Sequence, residues 1–173
     1  MKTRQLTQTA MLSAMALVIF MVEAQVPLPI PVPGVKLGLA NVITLFALWT
    51  LGRRAAGTVL LVRIVLGSFV VGNLMTMSYS LAGGVLCFLL MALMKPLFSE
   101  TQIWILSVFG AIGHNVGQLA IAVAITGTPS ILLPIGPVLM LSGIVTGLFT
   151  GLCAQAVILH LPTARKHGGG KVL

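Results

Sequence analysis

Residues 102–126 read QIWILSVFGAIGHNVGQLAIAVAIT, a run without a single Asp, Glu, Lys or Arg. A helix needs about 20 residues to cross the hydrocarbon of a bilayer, so the stretch predicts a membrane span. Its middle nevertheless holds Gly113, His114, Asn115, Gly117 and Gln118, and hydrocarbon penalises polar groups that lack partners. One segment therefore raises both questions, what the fold is and where its site lies.

Similar runs occupy 6–26, 37–51, 55–75, 79–95 and 135–160. Together they predict an all-α integral membrane protein with six transmembrane helices. A single domain covers 1–162, and a tail over 163–173 contains Gly168, Gly169 and Gly170. Composition agrees. Of 173 residues 58% are hydrophobic and 7% charged, with a mean hydropathy of +1.12, whereas soluble domains carry about a quarter charged residues. The 37–51 run is short, about 22 Å as helix, which suggests a shallow or partly re-entrant span. Lys2 and Arg4 ahead of an apolar run loosely resemble a signal peptide. Glu23 at its end and five further apolar segments favour a retained span.

Charge tests this division independently. With a cytoplasmic N-terminus, Lys2, Arg4, Arg53, Arg54, Lys95, Arg165, Lys166 and Lys171 all fall inside. Only Lys36 lies outside and Arg63 within a span, as expected where positive charge sets orientation. Both termini are expected in the cytoplasm and the protein in the cell membrane. A net charge of +8 could suggest nucleic acid, but these cations sit singly or in pairs between apolar runs.

The acidic residues exclude most chemistry. There are two, Glu23 and Glu100, and no aspartate. Paired-carboxylate acid–base work, Asp-rich Mg²⁺ sites and Ser-His-Asp triads lack their components. No Gly-x-x-x-x-Gly-Lys-Ser/Thr loop exists to hydrolyse nucleotide. Cys87 and Cys153 sit in apolar runs and read as small buried residues. The expectation is a chain with no catalytic residue, metal site or cofactor.

Prolines 27, 29, 31 and 33 forbid helix between the first two spans. That apolar segment reads either as a helix stop or as a semi-rigid lid on the outer side. A second outer connection, near 127–137, carries Pro129, Pro134 and Pro137. Gly143, Gly147 and Gly151 form a small-residue stripe, best used for packing within the bundle. Ala10 and Ala14 form a weaker pair, with Ser13 beside them.

Buried polar residues mark the candidate site. Arg63 lies about 13 Å into its span. It reaches Glu23, snorkels inward, or faces a polar cavity holding an anion. His114 and Gln118 are four apart and share a helix face, with Asn115 beside them. Interhelical hydrogen bonding is the plain reading of the three, a ligand site the other. Lys36 and Asn41 open the second span and Asn73 closes the third on the same outer side. Such a set suits a small molecule bearing phosphate, carboxylate or several carbonyls.

Pro31-Val-Pro-Gly-Val-Lys-Leu-Gly-Leu-Ala-Asn41, Arg63 with Gly67, Ser80-Leu-Ala-Gly-Gly84 and Gly113-His-Asn-x-Gly-Gln118 resemble the Gx transporter family. Its members are labelled heptaprenyl diphosphate synthase component I, and the resemblance spans about residues 7–160. That family is in turn similar to the S components of energy-coupling-factor (ECF) transporters, six-helix proteins that capture micronutrients. The resemblance implies that Ala10 and Ala14 dock on a transmembrane coupling subunit served by an ATPase pair. It further implies that the loop after helix 1 helps close an outward site. A synthase role fits poorly, because such enzymes hold diphosphate through Mg²⁺ on Asp-rich motifs. The expected function is substrate binding for import of a small anionic or polar metabolite, vitamin-, flavin- or isoprenoid-related. The alternative is a non-catalytic membrane subunit in isoprenoid-quinone synthesis. A secondary transporter working alone fits less well, since ion coupling usually relies on intramembrane carboxylates.

Overall fold

Close approach of helix backbones, made possible by glycine, organises the bundle. The computed structural model describes residues 3–25, 36–71 and 74–160. Six α-helices follow in order: α1 (Thr3–Gln25), α2 (Asn41–Thr50), α3 (Arg53–Val71), α4 (Leu74–Met94), α5 (Ile103–Thr126) and α6 (Leu132–His160). Single 3-10 turns occupy Lys95–Leu97, Glu100–Gln102 and Pro129–Ile131, and no strand occurs among the described residues. Among the described residues the fold is all-helical, as the long apolar runs predict. Helix α1 and the helical stretches Leu74–Leu97, Glu100–Thr126 and Pro129–His160 are long and apolar enough to cross a membrane. Their outward residues, such as Met11, Met15, Leu133, Leu141, Val145 and Phe149, are exposed. Apolar surface on this scale suits lipid and not water.

Helix α5 lies between α4 and α6, α1 packs on α3, and α3 reaches α4. The glycine stripe of α6 faces α5. A Cβ on Gly151 would lie 2.6 Å from Trp104 Cα, and one on Gly147 2.8 Å from Val108 Cα. On its other side α5 brings Gly117 against α4, where a Cβ would meet the Ala82 carbonyl at 2.6 Å. Lipid offers no hydrophobic force between helices, so this van der Waals contact carries much of the association. Cys87 is buried, whereas Cys153 is exposed on α6.

The central helix is the short one. Helix α2 touches α1, α3, α4, α5 and α6, and Leu45, Ala47 and Leu48 are almost wholly buried. Its ten residues extend about 15 Å, half a hydrocarbon layer. The expected 37–51 helix is thus shorter than its apolar run. It cannot begin earlier because Gly38 adopts a φ of +80°, outside the helical region. It ends where Gly52, at φ +89°, and Leu51 both donate their N–H to the Ala47 carbonyl. Lys95 Nζ caps that end from the 3-10 turn that follows α4, donating to Leu48 O at 2.8 Å and Trp49 O at 3.4 Å. Arg53 Nη2 in turn donates to the Ala92 carbonyl near the end of α4. Cations at helix C-termini satisfy free carbonyls and complement the dipole. The alternating chain direction gathers Arg4, Arg53, Arg54 and Lys95 at this same end.

Other boundaries also differ from expectation, with α3 spanning Arg53–Val71 and not 55–75. Helix α4 begins at Leu74 rather than 79, because Ser78 Oγ bonds back to the Leu74 carbonyl and so is satisfied within the helix. Helix α6 begins at Leu132, ahead of Pro134 and Pro137. Pro134 falls in the first turn, where no N–H partner is needed, and Pro137 sits inside the helix. The proline run 27–33, Asn73 and the tail 163–173 lie outside the described residues.

Gly57 of α3 and Gly151 of α6 should respond oppositely to a side chain. A Cβ on Gly57 meets only the Phe88 ring at an ordinary 3.6 Å, so Gly57→Ala should gain about 0.5–1 kcal/mol of helix stability. Gly151→Leu should cost about 1–3 kcal/mol by overpacking. Thermal melting of the purified protein in detergent should rise for the first and fall for the second.

Candidate functional site

A guanidinium buried in a helix bundle must be answered by its neighbours. Arg63, on α3, keeps 2% of its surface exposed. It does not snorkel. Its Nη2 donates to Asn41 Oδ1 at 3.1 Å, at the start of α2. Glu23, near the end of α1, acts on it through space and is itself 5% exposed. The Glu23 carboxylate accepts the N–H of Gly38 at 2.5 Å and also bonds the backbone of Ala40. Helix α2 has no side-chain cap of its own at Ala40, so a carboxylate from α1 takes that role.

Lys36 completes the charged set. Its Nζ lies 3.5 Å from the centroid of the Phe20 ring, a cation–π contact. Gly67 of α3 makes room for that ring, since a Cβ there would come within 2.6 Å of Phe20 Cε1. Burial pushes the Lys36 ammonium down to about 8, with Glu23 opposing and Arg63 adding to the shift. Its main-chain N–H donates to Gln118 Oε1 at 3.3 Å.

His114 ties α5 to this cluster. Its Nδ1 lies 3.1 Å from Asn41 Nδ2 and its Nε2 2.7 Å from Gln118 Nε2. The bond from Arg63 fixes which way the Asn41 amide faces, and the Lys36 N–H does the same for Gln118. The Gly83 backbone is a further hydrogen-bond partner of the ring, and Gly83 lies against Nδ1. A neutral ring with its proton on Nδ1 gives that proton to Gly83 O and accepts from Gln118 at Nε2. A protonated ring would set Nε2–H against the Gln118 amide N–H. The assignment leaves one Asn41 N–H without an acceptor. Gly83 of α4 is small because a Cβ would crowd His114, and Gly84 because a Cβ would meet first Leu60 and then Arg63.

Among the described residues Lys36 Nζ, Arg63 Nε, Thr44 Oγ1 and Asn115 Oδ1 are buried without a hydrogen-bond partner. Lys36, Asn41, Arg63, His114 and Gln118 thus come together. Asn115 goes elsewhere, because its Nδ2 donates to the Leu139 carbonyl of α6 at 2.5 Å. Glu23, Gly38, Phe20 and Gly83 join the set beyond the expected residues. Glu23 carried a signal as one of two acids in the chain, and Gly38 and Gly83 lie within the motifs quoted above, whereas Phe20 carried none. Ala10 and Ala14 lie on the exposed side of α1, opposite the buried Thr9, Ser13 and Phe20. No group of three His, Cys, Asp or Glu able to hold a metal occurs among the described residues.

Gly38 is the tightest point of the cluster. A Cβ there would come 2.9 Å from both Asn41 Nδ2 and His114 Cδ2, on a backbone at φ +80°. Gly38→Ala should therefore destabilise the protein by about 1–3 kcal/mol, read as a lower melting temperature in detergent.

Residues 12–157 match the family model described as heptaprenyl diphosphate synthase component I. No curated protein and no solved structure gives a significant match.

Proposed function

The chain belongs to the heptaprenyl diphosphate synthase component I family, and on that premise we propose that it is a non-catalytic membrane protein that binds a small anionic or polar metabolite. In this reading all six helices lie within the cell membrane, α2 only part-way. The basic end formed by Arg4, Arg53, Arg54 and Lys95 faces the cytoplasm. The observation that carries the reading is a buried arginine with an unpartnered Nε, beside a lysine with an unpartnered Nζ. Structural arginines that serve packing alone satisfy their donors within the protein. The protein acts as the capture component of an ECF-like importer, with Lys36, Asn41, Arg63, His114 and Gln118 around the ligand. Ala10 and Ala14, exposed on α1, dock a transmembrane coupling subunit that works with an ATPase pair.

The family description supports a second reading, a non-catalytic membrane subunit of heptaprenyl diphosphate synthase. Affinity purification from membranes separates the two. A coupling subunit with ATPases supports import, and a soluble Asp-rich synthase supports the subunit role.

Native mass spectrometry of the wild type should show a co-purified small molecule that the folded fraction of Arg63→Ala lacks; retention in that fraction would remove Arg63 from the site. Affinity for an anion should fall as pH rises through about 8, where Lys36 loses its proton. A flat profile from pH 6 to 9 in ligand titrations would exclude Lys36. Replacing Ala10 and Ala14 together by Leu should abolish uptake while leaving ligand binding intact. Normal uptake in that variant would remove the docking role.

A further inference from the structure

We infer that the cluster around Arg63 takes one singly charged anionic group of the carboxylate class, and that Glu23 sets this valence. The inference rests on the proposal that the cluster is a ligand site, and it narrows the chemistry of what enters. Two cations, Lys36 and Arg63, and one carboxylate, Glu23, are mutually coupled at this place. His114 adds no charge, because protonating the ring would set N–H groups against both the Asn41 and the Gln118 amide N–H. The neighbouring stretches 26–35 and 72–73 contain no ionisable side chain. Other described charges, Arg4, Arg53, Arg54, Lys95 and Glu100, belong to the opposite end of the bundle. One positive charge therefore remains in excess among buried groups.

An uncompensated charge in a low-dielectric interior is costly, and one negative charge removes the excess. A phosphate monoester carries about −1.5 to −2 at neutral pH and a diphosphate more, so either would overshoot. Polyanionic phosphates are commonly held with metal ions on carboxylates. Here the Glu23 carboxylate is taken by the backbone N–H of Gly38 and Ala40. The free donors suit a carboxylate. Arg63 Nε lies in a planar guanidinium whose N–H groups match a carboxylate's geometry. Lys36 Nζ rests on the Phe20 ring, a contact that uses none of its N–H groups on an acceptor. Glu23 is held in place by α2 and balances one of the two cations before any ligand arrives.

The test is a thermal-shift titration of the purified full chain in detergent at constant ionic strength, with benzoate and pyrophosphate as probes. Wild type should be stabilised by benzoate and little by pyrophosphate. Glu23→Gln keeps an oxygen for the Gly38 N–H and adds one positive charge. It should raise apparent pyrophosphate affinity by about tenfold or more, the scale of one neighbouring charge. Lys36→Met, which abolishes the excess and needs no change at Glu23, should remove the benzoate effect. Preference of the wild type for pyrophosphate would overturn the valence while leaving an anion site standing. Unchanged benzoate response in Lys36→Met, or unchanged pyrophosphate affinity in a folded Glu23→Gln, would overturn it too. If neither probe shifts the wild type, the anion site and its valence fall together.

Discussion

Everything at the heart of this bundle follows from placing a guanidinium where water does not reach. Arg63 must be met by an acceptor, and Asn41 supplies one. Asn41 can do so only because α2 starts where it does. That start depends on Gly38 turning with a positive φ and giving its N–H to Glu23. Glu23 in turn supplies the negative charge that makes a buried arginine tolerable. A charged residue on α3 thereby fixes the relation of α1, α2 and α5.

Glycine gives that arrangement room. Gly83 and Gly84 let His114 and Arg63 lie against α4, and Gly67 admits the Phe20 ring beneath Lys36. A second use of glycine is purely mechanical, in the α5–α6 seam at Gly143, Gly147 and Gly151. The same residue type therefore serves two purposes. In one it brings backbones into contact, and in the other it clears space for polar side chains in a medium that would reject them unpaired.

The helices were legible because hydrocarbon demands long apolar runs and leaves little choice. Arg63, His114 and Gln118 were legible for the converse reason, as polar groups have no business there without a partner. The length of α2 was not, since its apolar run continues back to Leu37 and only the φ of Gly38 stops the helix. Nor was the direction of Asn115 open to inspection. Adjacent helical residues point about 100° apart, so its neighbour His114 meets α2 while Asn115 meets α6. The Glu23 contact was half visible: the scarcity of acids named the partner, but its bond to the α2 N-terminus is tertiary. Phe20 looks like an ordinary membrane residue until the helices are assembled, and the sequence marks Gly67 and Gly83 without showing that they make room for Phe20 and His114.

The brevity of α2 has a consequence for how the protein is made. A ten-residue helix of about 15 Å cannot stand across a bilayer by itself, and helices this short are marginal when isolated. Its ends are held by Glu23 from α1 and Lys95 from the turn after α4, and its sides by α3 and α6. Those supports are synthesised partly after it. Segment 41–50 therefore gains its full set of supports only once α3, α4 and α6 have followed it out of the ribosome.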